Sequence, residues 1–168
     1  MLPGYEVRKA AQVAAFFALK EGGEINVLKL SKLMYLAERE FMDRHDEPMF
    51  YDKLASLPDG PVVSITLNLI NGDAEHPDWP LFVSPRTGYG IKAASGQTFD
   101  TLDELSRADL EVLNDLWKRF GDWDRYVLRD WTHKPENIPE WVDPQGSSLP
   151  ITHEEVFAYL KKERPDAL

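Results

Sequence analysis

Asn26-Val27-Leu28-Lys29-Leu30-Ser31-Lys32-Leu33-Met34-Tyr35-Leu36-Ala37-Glu38-Arg39-Glu40-Phe41 is the stretch that decides the fold. Val27, Leu30, Met34, Ala37 and Phe41 recur at three- and four-residue spacings, and Leu33 and Leu36 widen the stripe. Asn26 supplies a side-chain acceptor for the first free amides of such a helix. Lys29, Lys32, Glu38 and Arg39 fall largely off the stripe and are expected on its outer side. The pattern fades around Arg44-His45-Asp46. A stripe this broad predicts a helix packed in the core of a small domain rather than a narrow coiled-coil seam.

Working outward, Val7, Ala10, Val13, Ala14 and Phe17 predict an earlier helix over 5–20, ended by Gly22-Gly23. On the other side, Pro48, Pro58 and Gly60 punctuate an irregular connector with one short extended piece. Pro61 suits the first turn of a further helix through Val62, Val63, Ile65, Leu67, Leu69 and Ile70, stopped by Asn71-Gly72. The β-branched residues there also fit a strand. Leu81-Phe82-Val83 and Tyr89-Gly90-Ile91-Lys92-Ala93 flank a Gly-bearing turn and predict a small hairpin. Ser106 with Asp109 opens a helix faced by Leu110, Leu113, Leu116, Trp117 and Phe120 and ended by Gly121. A short helix over 123–132 carries Trp123, Tyr126, Val127, Leu128 and Trp131. Pro135, Pro139 and Pro144 enforce a winding loop around Trp141, and Thr152 with Glu155 caps a last helix whose Val156, Phe157 and Leu160 face inward. The expected fold is mainly α: a compact single-domain helical bundle over 1–168 with a small β-hairpin insertion.

The chain has 168 residues, 43% of them hydrophobic, with 8 Phe, 6 Tyr and 5 Trp, enough for one real core. No stretch is long and apolar enough to span a membrane, and Met1-Leu2-Pro3-Gly4-Tyr5-Glu6 lacks the layout of a signal peptide. The absence of cysteine excludes disulfides and thiolate metal sites, so a cytoplasmic location is expected. The formal net charge is −10, and the sequence offers no Lys/Arg cluster from which to build a basic patch. That argues against nucleic acid, whose phosphates demand one. It is compatible with a basic protein partner.

Chemical motifs are missing. There is no phosphate-cradling glycine loop, no zinc-protease helix and no nucleophile elbow. Asp73, Glu75, His76 and Asp78 crowd oxygen and imidazole ligands together, but without calcium-loop spacing and with one histidine, so a solvated polar loop is expected and no metal. Asp130 and His133 could form an acid–base pair, yet a histidine in this position is expected to close a helix end against backbone carbonyls. No catalytic residue and no cofactor is expected.

Lys29-Leu30-Ser31-Lys32-Leu33-Met34-Tyr35-Leu36-Ala37, then Gly60-Pro61-Val62-Val63, then Trp131-Thr132-His133 with Trp141 and the Ile151-Thr152 helix start, occur in order along nearly the whole chain. Together they resemble the Panacea domain of SocA-like antitoxins, a family also found in phage-associated proteins. Leu57-Pro58-Asp59 stands where family members often carry an aromatic residue. The resemblance implies an antitoxin of a two-gene system that binds a co-encoded toxin and blocks it directly. An adaptor that hands a toxin or host protein to a protease, or a phage-associated regulator of a host protein, is the alternative. Lys32, Tyr35, Arg39 and Trp131 are the expected partner-binding residues. Gly60, Pro61, His133 and Trp141 are expected to maintain the fold. No nucleic acid or membrane partner is expected, and the oligomeric state is left open.

Overall fold

The computed structural model describes residues 4–163; the leader reading at Met1-Leu2-Pro3-Gly4-Tyr5-Glu6 lies partly outside them. In chain order the elements are α1 (Val7–Lys20), β1 (Glu24–Asn26), α2 (Val27–His45), β2 (Leu54–Leu57), β3 (Gly60–Val63), α3 (Ser64–Asn71), β4 (Gly90–Lys92), α4 (Arg107–Phe120), α5 (Arg125–Thr132), β5 (Leu149–Ile151) and α6 (His153–Glu163). The fold is mainly α, with small antiparallel sheets that make it more than a helical bundle.

α2 is the central rod. Asn26 Oδ1 accepts from the Leu28 and Lys29 amides at 2.9 and 3.2 Å, so the expected cap is in place. Asp46 ends the helix in the left-handed conformation, its amide donating to Met42 O. α1, α4, α5, α6, β1 and β3 all pack against α2. That enclosure corrects one expectation: Lys29, Lys32 and Glu38 do not lie on an outer face but are buried with the apolar stripe. Each polar end is met by a partner from a neighbouring element, as buried polar groups must be. Lys29 Nζ donates to Gly121 O at 2.6 Å and pairs with Glu21 at 2.7 Å. Glu38 accepts from the Phe50 and Asp52 amides at 2.9 and 2.7 Å, tying the connector to the rod.

β2 and β3 form a hairpin, Leu54 opposite Val63 and Leu57 opposite Gly60, and β5 pairs with the other edge of β2, giving the order β3-β2-β5. The helix expected to begin at Pro61 therefore begins at Ser64. Residues 60–63 are a strand because Val62 and Val63 favour the pleated, buried setting, and Pro61 is tolerated on an edge strand. α3 has no side-chain cap of its own from Val63. Asp52 supplies one from the connector, accepting from the Ile65 and Thr66 amides at 2.8 and 3.0 Å. The expected hairpin over 81–93 is present as two isolated antiparallel bridges, Val83 opposite Ala93 and Thr87 opposite Gly90, with the Ser84 amide donating to Lys92 O at 2.9 Å. Its return segment, β4, pairs in addition with β1, Ile25 opposite Ile91, which the sequence did not announce. The Ser106–Asp109 capping box and the Thr152 cap of Glu155 are present. Among the described residues no helix is long and apolar enough to cross a membrane.

Candidate functional site

The motif residues converge where the β2–β3 turn meets α2 and α5. Gly60 sits at φ +114°, and a Cβ there would lie 3.1 Å from Lys32 Nζ, 3.3 Å from Thr132 Oγ1 and 3.4 Å from His133 Cε1. Glycine is needed on both counts, backbone and space. Lys32 Nζ donates to Pro61 O at 3.2 Å, serving a carbonyl on the edge strand. His133 is the C-cap of α5; its Nδ1 lies 2.9 Å from Arg129 O and its Nε2 2.8 Å from Pro58 O. One imidazole thus joins the end of α5 to the β2–β3 turn. Trp141 stacks edge-on against it at 4.8 Å and donates Nε1–H to Leu57 O at 3.0 Å. Gly60, Pro61, His133 and Trp141 form one physical unit that holds the hairpin, the helix end and the proline-rich loop together.

The residues expected to touch a partner do not share an exposed face. Tyr35 is fully buried and donates its hydroxyl to Glu140 Oε2 at 2.7 Å. Arg39, one turn further along α2, grips the same carboxylate through Nε at 2.7 Å and Nη2 at 3.2 Å. Burial, and then the Glu140 charge, hold the Tyr35 phenol well above its usual range. These side chains anchor the loop over 135–144 to the rod. Trp131 is half-buried, with its ring against Phe120 and Trp123 and the Arg119 guanidinium over its face. Lys32 is 1% exposed. Burial pushes its ammonium down from 10.5 to about 8, with Asp59 drawing it up and Arg129 pressing it lower.

Lys32 also belongs to the lining of a cleft of about 600 Å³ between the start of α2, the β2–β3 turn, α3, the turn before β4 and α5. Its apolar wall includes Val27, Leu57, Pro58, Val62 and Leu67. Its rim carries Arg86, Tyr89, Arg125 and Tyr126, with Asp59 as the acidic member. Tyr89 is 79% exposed and Tyr126 is 49% exposed. The Arg86 guanidinium is fixed by Gly88 O at 2.7 Å and Asn71 Oδ1 at 2.5 Å. Arg125 and Arg129 lie over the Tyr126 ring at 4.7 and 5.0 Å. Lys32, Arg86 and Arg125, which form no cluster in the sequence, come from separate elements and line the same cleft in the fold. Tyr126 and Val127 face out, because α5 buries Leu128 and Thr132. The signal available in the sequence for the rim was Gly88-Tyr89-Gly90, which places an aromatic on a tight turn.

Asp130, the acid–base partner considered for His133, is held by Arg129 through Nε and Nη2 at 3.1 and 3.0 Å, while both His133 nitrogens face carbonyl oxygens. His76 Nδ1 accepts from the Asp78 amide at 3.1 Å, closing its own turn.

A family model described as "Antitoxin SocA-like, Panacea domain" matches residues 30–141, well over half of the chain. The matched stretch runs from α2 to Trp141 and contains the Gly60–His133 unit and most of the cleft lining, leaving out α1, α6 and the Asn26-Val27-Leu28 edge of the cleft. No curated protein and no solved structure matches.

Proposed function

The chain belongs to the SocA-like antitoxin family defined by the Panacea domain, and on that premise we propose that it is the antitoxin of a two-gene toxin–antitoxin system. It neutralises its co-encoded toxin in the cytoplasm by direct protein–protein binding and catalyses no reaction. The family match over 30–141 is the observation that carries this reading. The site chemistry supports it. Exposed tyrosine and arginine side chains around an apolar-walled cleft are the residue types that anchor protein interfaces. The one histidine considered for acid–base work is spent on backbone carbonyls.

The test is co-expression. The small gene beside this one is expressed in a bacterial host with and without this chain, and a tag on this chain is used for pull-down. Growth arrest by the neighbour, relieved by this chain and accompanied by a fixed-ratio complex, is expected. A harmless neighbour with which nothing co-purifies would remove the antitoxin reading and leave shared fold alone.

A further inference from the structure

We propose that the cleft is where the partner docks, and that it receives an acidic segment of that protein, a carboxylate entering between Arg86 and Arg125 toward Lys32 while Tyr89 and Tyr126 cover its flanking residues. This rests on the reading that the chain works by gripping another protein. It goes further in naming the surface and the chemistry of what the surface takes.

The charge pattern points this way. The chain as a whole carries −10, yet here Lys32, Arg86 and Arg125 face Asp59 alone. A polyanion such as RNA would be repelled by the rest of the molecule, whereas one short acidic segment meets only the local excess. Lys32 adds an unmet demand. Its ammonium has three protons, and Pro61 O is its hydrogen-bond acceptor; among the described residues no carboxylate lies within ion-pair distance of it. A buried cation with Asp59 as its more distant counter-charge and no ion-pair contact is costly, and an incoming carboxylate would offset that cost. The rim is pre-organised: Arg86 is pinned by Asn71 and Gly88, and Arg125 is laid over Tyr126. A guanidinium held in place loses little freedom when it pairs with a carboxylate. Large exposed aromatics beside it supply the apolar contact area.

Two measurements separate this inference from the antitoxin reading. In the first, the purified complex with the neighbouring gene product is compared with R86E, R125E and Y126A, all exposed positions, and with K118E on α4 as a control away from the cleft. Each cleft variant is expected to weaken the complex about tenfold or more, the control not at all. Unchanged affinity in the cleft variants while the wild-type chain still neutralises would overturn the docking surface and leave the antitoxin reading standing. In the second, which needs no toxin, amide NMR of the 15N-labelled full chain is followed during titration with a hexaglutamate peptide, inorganic phosphate and a short RNA. Shifts at Gly60, Tyr89 and Tyr126 with the peptide, lost in R86E/R125E, are expected. Shifts with phosphate or RNA and none with the peptide, or no shift at all, would overturn the acidic-segment assignment.

Discussion

At the residue scale, buried polar side chains do most of the organising. Glu38 holds the connector by two amides, and burial raises its carboxyl from 4.5 to about 8 against the opposing pull of those donors. A carboxyl raised on folding binds more protons in the folded chain, so its stabilisation is full below its unfolded value and is lost as pH rises toward 8. Asp52 is shifted upward by burial too and acts with the same sign. Lys32 is lowered to about 8, so above that pH the unfolded chain holds the extra proton and stability rises again toward 10. The expected profile, read from urea midpoints, falls from about pH 5, has a minimum near 8, and recovers above it. K32M should flatten the upper limb and leave the lower one. A recovery that persists in K32M would contradict the assignment. At Gly60, alanine must adopt φ +114° and press on Lys32, Thr132 and His133. G60A is expected to cost about 1–3 kcal/mol in the same measurement.

At the element scale, the helices with their own caps were legible and the elements defined by contact were not. Asn26, Ser106 and Thr152 announced α2, α4 and α6, and Gly22-Gly23 and Asn71-Gly72 ended α1 and α3, because these signals act within one turn. Pro61-Val62-Val63 read as a helix start because its strand character depends on pairing with Leu54–Leu57. β4 reads as the return arm of a local hairpin, which it is, but its strand partner β1, more than sixty residues earlier in the chain, leaves no local signal. The same blindness applied to α2: periodicity gave its stripe but not the fact that neighbours enclose it, so Lys32 and Glu38 were placed outside. The site was half legible. The motifs marked Gly60, Pro61, His133 and Trp141 as a structural unit, while the cleft rim, assembled from Arg86, Tyr89, Arg125 and Tyr126, left little local trace. The unit makes its own prediction. H133A removes the bridge between Arg129 O and Pro58 O and should destabilise the chain by about 1–2 kcal/mol in a thermal melt. Loss of neutralisation with an unchanged melting temperature would instead return His133 to a chemical role.

At the scale of the whole molecule, an acidic chain carries a locally basic cleft on a helical scaffold whose central rod is enclosed by neighbouring elements. The overall charge favours approach by a basic protein, and on the proposed docking the basic cleft would receive one acidic segment of that protein. On the proposed direct neutralisation, rescue should need neither a cofactor nor a protease. The most direct test is growth rescue in a host from which the ATP-dependent proteases have been deleted. The neighbouring gene product is expressed with this chain there, and the purified mixture is examined by size-exclusion chromatography with light scattering. Rescue equal to that in the parent host, with toxin and this chain eluting as one stoichiometric complex, is the predicted result. Rescue that disappears with the proteases, or toxin that elutes apart from this chain, would contradict direct neutralisation and leave the chain an adaptor.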